Sequence, residues 1–145
     1  MADKSFEGLP PLVGDIDAAV LVDNSPPPNN IVDAGKAFQV KASWRVEPAV
    51  VATVLDGTWT VDLYAESIGP GDEIKVGTVD VPATGATSYA GTINVPVGTL
   101  KAESAPPPNS GVYKLAEVLT YRNSLGVKTE IAAFSEGPMV LLREP

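Results

Sequence analysis

The sequence predicts an all-β domain, a two-sheet antiparallel sandwich of about 7–9 strands. Three observations carry that prediction. Short runs alternate apolar and polar residues with a period of two, the spacing at which strand side chains share a face. Turn-forming residues, including 14 prolines and 13 glycines, separate these runs at short intervals. No stretch sustains a helical period.

The elements follow in chain order. Residues 1–17 read as an extended N-terminal arm and 18–145 as the sandwich. Within the arm, Phe6-Glu7-Gly8-Leu9-Pro10-Pro11-Leu12-Val13-Gly14 is too broken by proline and glycine for a regular element, yet it holds several large apolar residues. The first strand is read at Ala18–Val22. The clearest strand is Ala37–Val46, with Phe38, Val40, Ala42 and Trp44 on one face and Gln39, Lys41, Ser43 and Arg45 on the other. Val50–Leu55 reads as a short strand, with a helical turn after Pro48 as the alternative. Asp56-Gly57 then forms a hairpin turn into Thr58–Glu66. That strand points Trp59, Val61, Leu63 and Ala65 inward.

Glu73–Val81 changes parity at Gly77, which predicts a bulge that switches faces. Ser88–Val95 alternates again. Gly111–Tyr121 and Lys128–Phe134 are joined by the hairpin-length link Arg122–Gly126. Pro138 interrupts the last run before Met139–Leu142. A proline donates no ladder hydrogen bond, so this strand belongs at an edge or at a bulge. The triple prolines in Ser25–Asn30 and Ala105–Ser110 favour extended polyproline and read as stiff crossings between strands.

Composition removes most chemistry. There is no cysteine, so neither disulfides nor thiolate metal sites can form. Histidine is also absent, which removes the commonest general base and the commonest metal ligand. Ten basic residues against eighteen acidic ones give a net charge of −8, with no basic cluster, so nucleic acid is not an expected partner. No apolar run is long enough to span a membrane. The N-terminus lacks the pattern of a signal peptide, which makes cytoplasmic residence the default, with exposure on a particle surface the variant.

Asn109-Ser110-Gly111-Val112-Tyr113-Lys114-Leu115 resembles the tyrosine-corner segment of immunoglobulin-like domains. Tyr113 matches the corner tyrosine, and Leu115 stands where the superfamily carries a cysteine. Val40 or Ala42 would replace the opposing cysteine. Trp59 resembles the core tryptophan, set further from Ala37–Val46 by the insertion Glu47–Gly57. The resemblance follows the strand pattern over roughly residues 18–142 and implies an immunoglobulin-like sandwich. It also implies that the Tyr113 hydroxyl bonds backbone upstream, near the Ala105–Asn109 crossing. Such sandwiches mostly bind, space or decorate, and fold alone assigns no activity.

The remaining candidates are few. Asp62 and Glu66 share a strand face, but about 13 Å along one strand is too long for a paired-carboxylate hydrolase. No catalytic residue, cofactor or metal site is expected. Alternation places Glu117 inward, where it needs a bulge or a partner such as Arg45 or a tyrosine hydroxyl. A sugar-binding module would stack rings on a wet face, and Tyr64 and Tyr121 are the candidates for that alternative.

The expected function is a non-enzymatic protein–protein interaction or structural module, an adaptor or decoration component of a bacterial or viral assembly. Its partner would be another protein or further copies of itself. The candidate contact residues are Phe6, Leu9, Leu12 and Val13 of the arm, then Met139, Val140, Leu141 and Leu142 of the last strand.

Overall fold

The computed structural model describes residues 6–7, 13–21, 30–69, 73–103 and 110–143. Nine strands and one helical turn form there. They are β1 (Phe6–Glu7), β2 (Val13–Leu21), β3 (Ile31–Asp33), β4 (Phe38–Glu47), α1 (Ala49–Ala52), β5 (Thr58–Ser67), β6 (Ile74–Pro82), β7 (Ser88–Val95), β8 (Val112–Arg122) and β9 (Lys128–Arg143). The larger sheet runs β1-β9-β8-β5-β6, with β3 also on β9, and the smaller runs β2-β4-β7. The architecture is the all-β, two-sheet one that the alternation predicts.

One pairing departs from a purely antiparallel plan. Ile31–Asp33 runs parallel to Leu141–Arg143, so the larger sheet is mixed. The N-terminal part of the chain contributes in turn to the larger sheet as β1, the smaller as β2 and the larger again as β3. It therefore ties the two sheets together along the β9 side.

The core lies between the sheets. Strand β4 alternates without a fault, its even-numbered residues buried and its odd ones exposed. Trp44 on β4 and Trp59 on β5 are both fully enclosed and meet edge-on, with ring centroids 6.2 Å apart. Tyr121 packs 4.9 Å from Trp59, and Tyr89 stacks on Trp44. Edge-to-face and offset contacts of this kind suit the ring quadrupoles.

Four local readings change. Val50–Leu55 is not a strand. The N–H groups of Val51 and Ala52 donate to the Pro48 carbonyl and that of Thr53 to Ala49, closing one helical turn. Ala52 and Leu55, three residues apart, are buried together while Val50 and Val54 face water. The run is apolar without alternation, so burial of one side of a turn decided its form. Asp56-Gly57 is accordingly no hairpin turn, and Gly57 serves close packing instead, since an added Cβ would fall 1.8 Å from the Arg122 carbonyl oxygen.

The first long strand begins at Val13, inside the segment read as arm, because Ile16 continues the buried parity of Val20. Finally, β9 is continuous through Pro138. Lys114 faces Met139 but Ala116 faces Glu136, so Leu115 opposes two residues, Gly137 and Pro138. The predicted bulge sits there and exchanges the buried parity of Ile131 and Ala133 for that of Val140 and Leu142. A second bulge lies where expected in β6, where Leu63 faces Gly77 and Tyr64 faces Lys75.

Glu117 is wholly buried on β8, between Leu115 and Leu119 and opposite Leu63 and Ser135. Arg45, the cation expected beside it, lies instead on the outer face of the smaller sheet against Asp15 and Glu47.

Candidate interaction surface

The two outer faces of the sandwich differ in chemistry. On the smaller sheet, β4 presents Gln39, Lys41, Ser43, Arg45 and Glu47, and its neighbours add Asp15, Asp17, Ser88, Thr92 and Asn94 together with Ala19, Leu21 and Ala90. Several of these side chains pair with one another. Gln39 donates to Asn94 at 2.8 Å, and Arg45 pairs with Asp15 at 3.3 Å. The hydrogen bond to Asp15, then its charge and that of Glu47, hold the Arg45 guanidinium above its ordinary pKa. This is a solvated face.

The outer face of the larger sheet carries apolar residues that the register lines up. Leu141 on β9 lies between Ile31 on β3 and Val112 on β8. Ile68, just past β5, donates its backbone N–H to the Val112 carbonyl and continues the row. Ile31, Leu141 and Ile68 are 46%, 39% and 42% exposed. Met139 follows on β9 at 44%, and further along Phe134 at 38% sits opposite Val118. Isolated exposed aliphatics are ordinary, whereas here they line up as one row across β3, β9, β8 and the residue that follows β5.

Charges frame this row without interrupting it. Lys114 bridges Glu136 at 3.2 Å and Glu66 at 3.9 Å. Lys75 bridges Asp62 at 3.1 Å, and Asp33 pairs with Arg143 at 2.9 Å. A hydrogen bond to Asp62, then its charge, raises the Lys75 pKa above the ordinary lysine value.

The predicted contact residues divide. Met139 and Leu141 lie on the exposed row, whereas Val140 and Leu142, at 1% and 4% exposure, are core. Their side chains alternate between the faces of one strand, so a run of four cannot act together. Phe6 pairs in register with Ala133 and Glu7 with Ala132, which places this part of the arm on its own sheet. Val13 pairs with Glu47 in the smaller sheet. Leu9 and Leu12 lie outside the described residues.

The predicted sugar-stacking pair does not form. Tyr64 faces outward, half-buried, while Tyr121 is buried and its hydroxyl accepts the Gly57 N–H at 2.8 Å. Parity separates them, since Tyr121 shares the inward face of Tyr113 and Leu119. A polar cleft of about 550 Å³ opens nearby, lined by Thr58, Thr60, Asp80, Arg122 and Asn123 among others, and no aromatic ring lines it. Among the described residues no three acidic side chains gather as metal ligands, and no helix is long and apolar enough to cross a membrane.

Ile31, Ile68, Val112 and Phe134 belong to this exposed apolar surface, and sequence reasoning did not single them out. Parity could have flagged Ile68 and Phe134. The neighbourhood of Ile31 and Leu141 depends on a parallel pairing between residues 110 positions apart, for which the sequence carries no local signal.

No protein-family model matches the chain, and no curated protein matches it. Among solved structures it is similar to part of a β-glucosidase from Listeria innocua in complex with gluconolactone, at 9% identity and a TM-score of 0.49. That match covers 89% of this chain and 16% of the glucosidase. It is also similar to Spo0M, a sporulation control protein from Bacillus subtilis, at 7% identity and a TM-score of 0.42, covering 91% of this chain and 50% of that one. The chain thus spans a small part of the first and half of the second. No property of this chain is taken from either.

Proposed function

We propose that this chain is a non-catalytic, immunoglobulin-like interaction module that meets a protein partner through the outer face of its larger sheet. The observation that carries the reading is the apolar row of Ile31, Leu141, Val112 and Ile68, extended by Met139, on one outer face, while the other face carries mostly polar and charged side chains with Ala19, Leu21 and Ala90 among them.

Strand order supports the immunoglobulin-like part. With β2, β4 and β7 taken as strands A, B and E, β5, β8 and β9 fall as C, F and G of the opposing sheet. Trp59 then lies on the strand that carries the core tryptophan, and Tyr113 near the start of the sixth strand. The Tyr113 hydroxyl donates to the Lys101 carbonyl at 2.9 Å and accepts the Lys101 N–H at 3.1 Å. This tie to upstream backbone is the one the resemblance implies, though it reaches Lys101 rather than the following crossing.

The non-catalytic part is supported by the state of the carboxylates. Asp62 and Glu66, the two acids of one strand face, are each engaged by a lysine. The setting remains the one expected from the sequence, an adaptor or decoration role in a bacterial or viral assembly.

The test is site-specific photo-crosslinking in cells that express the protein natively. A crosslinking residue at Met139 should capture protein, while the same residue at Asp15 on the polar face should capture little. Equal capture at both positions would overturn the assignment of the face.

A further inference from the structure

We infer that the open edge of β7 is a separate interaction site, one that takes an extended segment of another protein as an added strand. The inference is independent of the face assigned above and follows from how the edges of the two sheets are finished.

A sheet edge leaves a row of backbone donors and acceptors that an extended chain pairs throughout. Most edges among the described residues are guarded. Strands β1 and β3 are two and three residues long, too short to template a partner. On β6 the register against β5 shifts between Leu63 and Tyr64, and Lys75 and Asp80 add charge. The Ala83 N–H donates to the Gly57 carbonyl, so the next residue back, Pro82, turns to the open side, where it has no N–H to offer. On β2 the Asp17 carboxylate accepts the Ala18 N–H at 3.1 Å and occupies a donor on that edge.

Strand β7 has none of these devices. Its 8 residues carry no charge and no proline, and they pair with β4 without a register shift. The Val46 N–H donates to the Thr87 carbonyl, and the register then turns the backbone groups of Tyr89, Gly91, Ile93 and Val95 towards β4. Those of Ser88, Ala90, Thr92 and Asn94 point the other way. All four residues are exposed, and no other strand among the described residues pairs with that side.

Side chains define the segment. Gly91 faces inward, and a Cβ there would lie 2.9 Å and 3.1 Å from methyl groups of Val79 and Val81 on β6. Val79, Val81 and Tyr89 are only partly buried, an apolar margin between the two edge strands. An added strand covers that margin with alternate apolar side chains and sets the others beside Ser88, Ala90, Thr92 and Asn94 on the wet face. The net charge of −8 repels an acidic chain, a second copy included, so the segment is neutral or basic.

The experiment is an NMR titration of the full chain with amide hydrogen exchange. The probe is a synthetic peptide of about eight residues that alternates valine and threonine and ends in lysine at both termini. In the free protein the N–H groups of Ala90 and Thr92 should exchange fast and those of Gly91 and Ile93 slowly. Saturating peptide should slow Ala90 and Thr92 by at least about tenfold and leave the signals of Met139 and Leu141 in place. The same peptide N-methylated at every residue keeps its side chains, loses its donors and should not bind. Thr92→Pro removes one outward donor at a position where an edge tolerates proline, and should weaken binding about tenfold with the melt checked alongside. The methylated peptide decides the matter should that variant unfold. No slowing up to about 2 mM peptide, equal binding of the methylated peptide, or shifts confined to β9 would each overturn the proposal. Slowing at Ala90 and Thr92 that grows with protein concentration alone would give the edge to a second copy and overturn the partner named here.

Discussion

Replacing Gly57 by alanine should be far more damaging than its place in an Asp-Gly pair suggests. The backbone at Gly57 is not in the left-handed region, so conformational freedom is not its purpose. An added Cβ would lie 1.8 Å from the Arg122 carbonyl oxygen, 2.7 Å from the Asn123 carbonyl carbon and 2.8 Å from that of Arg122. All three are backbone atoms, which cannot rotate away as a side chain can. To restore ordinary contact the end of β8 must retreat by roughly 1.5 Å. That movement strains two hydrogen bonds, from the Gly57 N–H to the Tyr121 hydroxyl at 2.8 Å and from the Ala83 N–H to the Gly57 carbonyl at 2.9 Å. It also disturbs the Tyr121 ring, packed 4.9 Å from Trp59.

Two weakened hydrogen bonds at about 1 kcal/mol each, with an overpacking cost of about 1–3 kcal/mol, give a loss of roughly 3–5 kcal/mol. For a domain of this size that lowers the melting midpoint by roughly 10 °C. Gly35→Ala is the control, because nothing lies within 4 Å of its Cβ position and its φ is not left-handed. There alanine should raise stability by about 0.4–1 kcal/mol through the unfolded chain. Denaturant and thermal midpoints of the two variants measure the contrast. A Gly57→Ala protein within about 1 kcal/mol of wild type would falsify the close-approach account.

Three further outcomes are expected. Tyr113→Phe removes both hydrogen bonds to Lys101 from a side chain only 3% exposed, and should cost about 1–3 kcal/mol in urea unfolding; an unchanged midpoint would remove the tie as a source of stability. Deleting residues 1–12 strips β1 from Ala132 and Ala133 and should lower stability by about 1–2 kcal/mol without changing the association state. Loss of assembly with an unaltered melt would instead restore the arm as the contact site. Asp62→Asn should slightly destabilise the protein near neutrality. The raised pKa of Lys75 means that this contribution is present below the unfolded lysine value of about 10.4 and lost as pH rises through the folded value. The gap between variant and wild type should therefore close in strongly alkaline solution, and a gap independent of pH would refute the pairing as its cause.

Much of the fold is legible in the residues alone. Alternation in Phe38–Glu47, Thr58–Ser67 and Ser88–Val95 locates three core strands, because period two has one physical meaning on a pleated strand. The parity break at Gly77 and the missing proline donor at Pro138 point to two of the three register shifts, and the alternation through Tyr113 and Leu115 already buries Glu117. Absent cysteine and histidine narrow the chemistry before any coordinate is known.

Tertiary structure decides where pattern is silent or ambiguous. Val50–Leu55 is apolar without a period, so only the burial of Ala52 and Leu55 selects a helical turn over a strand. β1 and β3 are two and three residues long, too short to show periodicity, and exist because β9 offers them an edge. The role of Gly57 depends on backbone 65 residues further along the chain, and the apolar row depends on a parallel pairing across 110. Local sequence records which way a side chain points, since that is set by its own strand. Which side chains become neighbours is set by long-range pairing, and only the folded chain brings Ile31, Leu141, Val112 and Ile68 onto one surface.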